Sequence, residues 1–269
     1  MEIKFDNLSS NNNCFSDVSF DLNNCFFAAI NGCSFNTLYE LLSYKKRPAS
    51  GSLDVLGKEI KRSNHVEEYD KVLKKIGFVS ELLFNQYNEY IVIDIFFKYI
   101  KDYKVRRIED KNKHIVDSLK FVGLSKGILK KLFGELSYSE KKKVLLACVI
   151  AVNPKIVVLD DFDKGLIFRD KENFKKIFVK LKVKFDKQFL FVNTGSEFLM
   201  SIVDKIIVIN KGKKVYDGDN DSFYDDKLYK YLDMPPIVSF TKQALNMGHD
   251  IICYSDTKEL LKELYRKIK

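Results

Sequence analysis

Three stretches of the chain pass from an apolar run directly into polar residues. Phe26 to Ile30 leads into Asn31-Gly32-Cys33-Ser34-Phe35-Asn36-Thr37, Ile156 to Leu159 into Asp160-Asp161, and Phe189 to Val192 into Asn193-Thr194-Gly195. Short apolar runs of this kind suit strands buried on both faces of a parallel sheet. Ligands of such sheets bind beyond the carboxyl ends of the strands. A glycine-bearing loop that opens a helix can present backbone N–H groups to phosphate oxygens, and an acid at a neighbouring strand end can hold Mg²⁺. The chemistry suggested is therefore that of a phosphate-binding nucleotide site. The plainer alternative is that Asp160 and Asp161 merely cap and turn the chain. Cys33 has no sequence neighbour that would lower its pKa, so it reads as a structural thiol. His114 and His249 stand alone, without metal-ligand spacing, and read as exposed.

The elements that must position these residues follow from the hydrophobic pattern. Glu2 to Leu8 and Val18 to Leu22 alternate apolar and polar residues around the Asn11-Asn12-Asn13 turn. Leu38, Leu41 and Leu42 share one helical face after the first loop, and Arg47-Pro48-Ala49-Ser50-Gly51 closes that segment. Residues from about 81 to 131 read as helical. Glu140 to Val152 is a helix with Ser139 as its expected N-cap and Asn153-Pro154 as its stop. Lys171 to Lys184 is another helix, and Ile206 to Ile209 a further strand before a hairpin at Gly212. Alternating strands and helices predict an α/β fold with a largely parallel sheet. From about Asp219 the texture changes to short helices around Pro235-Pro236.

Composition bounds the rest. The chain has 269 residues, 46% hydrophobic and 31% charged, a globular balance. Its longest uncharged apolar run, Val144 to Val152, is far short of the ~20 residues that span a bilayer. No secretory signal pattern opens the sequence. Five scattered cysteines without a C-x-x-C pair fit a reducing compartment. The net charge of +9 is concentrated between Lys98 and Lys143 and includes Arg106, Arg107 and Lys141-Lys142-Lys143. That run reads as a solvated helical face, and no nucleic-acid-binding signature accompanies it.

In order and spacing, these segments resemble an ABC transporter ATPase subunit. Phe15-Ser16-Asp17-Val18-Ser19-Phe20 is similar to that family's first strand, and Thr37 onward to the segment after its Walker A motif. Leu136-Ser137-Tyr138-Ser139-Glu140 stands where the family has its Leu-Ser-Gly-Gly-Gln signature. Ile156 to Asp161 resembles the Walker B strand, and Val208 to Lys213 the late hairpin. Tyr231 to Val238, continuing to Ile251, resembles the C-terminal domain of ATPases from energy-coupling factor (ECF) transporters. The resemblance implies a P-loop NTPase-like ABC ATPase fold: a mixed sheet with a helical subdomain at about 81–140. The nucleotide-binding domain would span 1–220 and a small helical dimerisation domain 221–269. It also implies ATP and Mg²⁺ as cofactors, a second ABC ATPase as partner, an integral membrane scaffold, uptake of vitamins or metal ions, and a cytoplasmic place on the inner face of the membrane.

Carried over residue by residue, the nucleotide site is altered. The phosphate loop would be Asn31 to Thr37, with Phe35 at the position of the Walker A Lys, Ser34 at the last Gly, and Asn36 beside Thr37 at the Mg²⁺ hydroxyl. Asp160 keeps the Walker B acid. Asp161 stands for the catalytic Glu, Glu81 for the Q-loop Gln, Thr194 for the switch His and Ile167 for the D-loop Asp. Asn12 falls about where an adenine-stacking aromatic is expected. In the signature, Ser137 is kept, while Tyr138, Ser139 and Glu140 replace Gly-Gly-Gln. The expectation is a degenerate cassette, weakly active or inactive, paired with an active ATPase. The alternatives are a working ATPase with unusual site chemistry, or a basic interaction module that reuses the fold without a transporter.

Overall fold

The structure, a computed structural model, describes residues 2–61, 70–105 and 111–268. Arg106 and Arg107 of the basic cluster lie outside the described residues. A four-stranded antiparallel sheet comes from β1 (Ile3–Ser9), β2 (Val18–Asp21), β4 (Ser50–Val55) and β5 (Lys58–Lys61), in the order β2-β1-β4-β5. A six-stranded sheet is built from β3 (Phe27–Asn31), β6 (Ile76–Val79), β7 (Ile156–Asp160), β8 (Gln188–Val192), β9 (Lys205–Asn210) and β10 (Lys213–Asp219), in the order β10-β9-β3-β8-β7-β6. Within it β9, β3, β8, β7 and β6 run parallel, and β10 returns antiparallel to β9. The α/β expectation therefore holds, with the antiparallel sheet as a separate layer.

The apolar runs of the parallel strands are buried on both faces because their side chains serve two cores. Phe27 and Ala29 of β3 pack into one, with Val157 and Leu159 of β7 and Phe189 and Phe191 of β8. Ala28 and Ile30, Ile156 and Val158, and Leu190 and Val192 pack into the other, on the antiparallel-sheet side. A period of two over a sheet covered on both faces leaves no polar position, so alternation is invisible in the sequence.

Helix α1 (Phe35–Leu42) follows β3, and α2 (Asp70–Leu73) precedes β6. Between β6 and β7 lie α3 (Leu82–Tyr87), α4 (Val92–Asp102), α5 (Lys111–Phe121) and α6 (Tyr138–Val152). Helix α6 is buried nearly all round, with Val144 to Val149 inside the larger core. Asn153 ends it in the left-handed conformation, a role asparagine fills with little strain. Helices α7 (Phe168–Phe185) and α8 (Ser196–Leu199) flank β8, and α9 (Pro236–Asn246) and α10 (Thr257–Ile268) close the chain. Val238 of α9 joins the larger core, while Ala244, Ile251 and Leu260 form a small cluster of their own.

Two expectations are corrected here. The N-cap of α6 is Ser137, not Ser139, whose hydroxyl is buried without a partner. His114 is not exposed: its Nε2 lies 2.8 Å from the Ala151 carbonyl, where a protonated Nε2 donates to it.

Candidate functional site

The polar strand ends of β3, β7 and β8 converge, as parallel pairing of these strands requires. Asn31 is buried at the end of β3, and its Nδ2 donates to the Thr194 carbonyl at 2.7 Å. The next residue turns sharply. Gly32 has φ +82°, and a Cβ there would sit 2.0 Å from the Ile209 carbonyl oxygen, so only glycine fits. The Gly32 N–H donates to Asn193 Oδ1 at 2.9 Å, while Asn193 Nδ2 donates to the Cys33 carbonyl at 2.8 Å. Ser34 then caps α1, and its N–H donates to Cys14 Sγ at 3.1 Å. The Cys33 thiol is buried, and burial together with nearby Cys14 and Asp160 raises its pKa, which agrees with a structural role.

Phe35, Asn36 and Thr37 diverge because they occupy successive positions on the first turn of α1. Phe35 is buried in the core on the antiparallel-sheet side and stacks with Tyr39, whose ring meets Phe78 edge-on. Asn36 faces solvent. Thr37 is buried, and its hydroxyl oxygen accepts a hydrogen bond from Asn12 Nδ2 at 2.7 Å. Lys45 and Lys46 remain at the far end of the helix, where Lys45 bonds the Tyr39 hydroxyl and Lys46 pairs with Glu40.

The acids at the end of β7 face different partners. Asp160 accepts from the Ser80 hydroxyl at 2.8 Å. Burial pushes its pKa up to about 6 against that hydrogen bond, and the charges of Asp161 and Glu81 add to the rise. Asp161 adopts φ +43° and pairs with Lys164 at 3.3 Å. Thr194 is buried, and its hydroxyl donates to the Val192 carbonyl. Among the described residues, no group of three His, Cys, Asp or Glu side chains is placed to hold a metal ion.

The segment before α6 closes on itself. Ser137 and Glu140 form a capping box: the Glu140 N–H donates to Ser137 Oγ, while Glu140 Oε2 accepts from the Ser137 N–H at 3.0 Å and its hydroxyl at 2.8 Å. These bonds hold the Glu140 carboxyl below the usual carboxylate range. Tyr138 turns inward, donating its hydroxyl to Glu81 and laying its ring against Gly165, where a Cβ would come within 2.7 Å. Glu81 is thereby brought to Tyr138 and lies 3.9 Å from Lys142.

Lys142 is the residue the sequence reading misplaced. It is not part of a solvated face but 2% exposed, and its ammonium donates to the carbonyls of Asp161 (3.1 Å), Phe162 (2.8 Å) and Lys164 (2.8 Å). The rings of Tyr138 and Phe162 flank it. Burial lowers its pKa to about 8, a fall that Glu81 and Asp161 only partly offset. Lys143, its neighbour, pairs with Asp170 rather than facing water alone. Lys142 stands two residues before the wholly apolar Val144–Val152 stretch, on a helix buried nearly all round. The Ser137-x-x-Glu140 spacing announces a capping box. Asn193 is legible as a polar strand end, though not as the partner of Gly32.

Comparison with known proteins places this geometry among ABC cassettes. A family model described as "ABC transporter" matches residues 15–163. The energy-coupling factor transporter ATP-binding protein of Oenococcus oeni is 26% identical over 285 residues, covering 100% of this chain and 98% of its own. That of Malacoplasma penetrans is 25% identical, covering 95% of this chain and 89% of its own. Among solved structures, cbiO1 from Clostridium perfringens, part of the ABC transporter complex cbiONQ, superposes with a TM-score of 0.72 at 20% identity over 91% of this chain and 95% of its own. A dimeric bacterial ABC transporter cassette superposes with a TM-score of 0.70 at 18% identity, covering 81% of this chain and 98% of its own.

Proposed function

The chain belongs to the ABC transporter family, and from that premise we propose that it is a cassette subunit of an ECF-type uptake transporter that has lost most of its own ATP chemistry. It pairs with a different, active ATPase and binds a membrane scaffold subunit from the cytoplasmic side. Residues 1–220 form the cassette and 221–269 the ECF-type dimerisation segment. The similarity to energy-coupling factor ATPases along nearly the whole chain supports the transporter class.

One observation carries the inactive reading: the side chain at the Walker A lysine position is Phe35, buried in the core and stacked on Tyr39. A phosphate loop without that cation has nothing to reach the β- and γ-phosphates. The neighbouring groups do not fit Mg-ATP either. The Gly32 N–H and the Thr37 hydroxyl already have partners within the chain. Glu140 places a carboxylate on the Ser137 hydroxyl, where the resemblance would put a γ-phosphate. Two different ATPases are favoured over two copies, because a homodimer would hold two such sites and no intact one. Among the described residues, no helix is long and apolar enough to cross a membrane, so attachment runs through the scaffold.

Calorimetric titration of the full chain with Mg-ATP, together with a steady-state ATPase assay, tests the reading. The expected result is no binding in the micromolar range and no turnover above background. Micromolar affinity with turnover by the isolated chain overturns it. Purification of the tagged chain from its native membranes should bring down a multi-spanning subunit and a second ATPase.

A further inference from the structure

The loop between β3 and α1 is tied to the end of β8 by side chains. We propose that Asn31 and Asn193 form a carboxamide clamp that locks this loop to the β8 loop permanently, with the Asn193 amide taking up hydrogen-bonding capacity a phosphate would otherwise use. The clamp deepens the reading of the site as nucleotide-independent and rests on it for its functional meaning, though its geometry is tested separately.

The two asparagines act reciprocally. β3 and β8 pair in parallel up to Ile30 and Val192, and the Asn193 N–H donates to the Ile30 carbonyl at 3.1 Å. Past that point the backbones part, and side chains continue the pairing. Asn193 reaches back to β3's loop, accepting from the Gly32 N–H and donating to the Cys33 carbonyl. Asn31 reaches the other way, donating to the Thr194 carbonyl. The Asn193 amide has one workable orientation, because rotating it by half a turn would set N–H against N–H and carbonyl against carbonyl. Its backbone φ of +49° lies in the left-handed region, which asparagine tolerates better than most residues. On the opposite side, Gly32 is pressed against the Ile209 carbonyl of β9. The loop is thus held between two strand ends.

The consequence is mechanical. In a cassette that works through nucleotide, a bound phosphate can link these two loops and its departure can release them. Here the link is made of protein, so this half of a transporter would hold one loop geometry whatever nucleotide is present.

Amide hydrogen exchange at Gly32, followed by NMR on the full chain, tests the clamp. In the wild type, Gly32 should exchange slowly without nucleotide. Asn193→Gly keeps the left-handed backbone accessible while removing the amide, and should speed Gly32 exchange by roughly tenfold, the factor expected for about one net hydrogen bond. Amides of β7 should be unchanged. Asn193→Asp keeps an acceptor for Gly32 but sets a carboxylate oxygen against the Cys33 carbonyl, so it too should speed Gly32 exchange, while unchanged β7 amides guard against a general loss of folding in either variant. Equal Gly32 exchange in wild type and Asn193→Gly overturns the clamp. Tight Mg-ATP binding alongside Asn193-dependent Gly32 protection overturns the functional reading but supports the clamp.

Discussion

Asp160 should destabilise the folded chain at neutral pH, and replacing it with asparagine should make the protein more stable. Its carboxyl is raised from the ordinary aspartate value of 3.8 up to about 6, chiefly by burial, with Asp161 and Glu81 contributing like charge. Below pH 4 the group is protonated in both folded and unfolded chains and has no effect. Between about pH 4 and 6 the folded chain holds a proton that the unfolded chain has released, so stability falls as pH rises. Above pH 6 the cost is complete. A rise of about two pH units corresponds to roughly 3 kcal/mol at about 1.4 kcal/mol per unit. Asp160 keeps partial contact with water, which reduces the figure to about 1–3 kcal/mol. The carboxamide introduced by Asp160→Asn can still accept the Ser80 hydroxyl, so little is lost in exchange. Urea unfolding of both proteins at pH 4.0, 5.0, 6.0 and 7.5 reads this directly: the gain should be near zero at about pH 4 and reach its plateau by about pH 7. A variant that is equally or less stable at pH 7.5, or a difference that does not vary with pH, would refute the reasoning.

Further outcomes follow from the same geometry. Lys142→Met should cost about 3–5 kcal/mol, because the Asp161, Phe162 and Lys164 carbonyls lose their shared donor. Lys130→Met, on the exposed surface, should change stability by less than about 0.5 kcal/mol in the same denaturation assay. The lowered Lys142 pKa also means that its contribution to stability rises with pH between about 8 and 10.5, as the folded chain sheds a proton the unfolded chain keeps; the stability difference between wild type and the methionine variant should shift by that contribution across this range, while the like contribution of Lys187 is common to both. Ser137→Ala should cost about 1 kcal/mol through loss of the cap on α6. Glu140→Gln should be less stable than wild type at neutral pH, with the difference shrinking as pH falls below about 4.5 and lost only once the pH passes below the lowered Glu140 value, because the Glu140 carboxyl is held low by Ser137.

The sequence was most legible where burial governed a whole segment. The buried strands announced themselves as apolar runs, and the strand ends that follow them carry the site. Pattern alone placed the cap of α6 two residues late, because Ser137 and Ser139 are both plausible caps and only the partner Glu140 distinguishes them. Lys142 was hidden for a different reason. In a run of three lysines, charge composition says solvent, whereas the partners that bury the middle one are backbone carbonyls of residues 161, 162 and 164, which have no sequence signature. Asn193 stood out as a polar strand end, but its role as a partner of the first loop was not legible, since it depends on the strand order that sets β8 beside β3.

Several groups of the candidate site are satisfied by partners within the chain. A phosphate loop carries backbone donors that must be satisfied whether or not nucleotide is present. In this chain four candidate contacts have a partner: Gly32 has Asn193, Ser34 has Cys14, Thr37 has Asn12 and Ser137 has Glu140. Two candidate side-chain oxygens are buried without a partner: Asn31 Oδ1, whose Nδ2 is bonded, and Ser139 Oγ. Asp160, like Lys142, is kept in an environment that disfavours its charge. The Asp160→Asn gain therefore measures how much that partly buried carboxylate costs the fold at neutral pH.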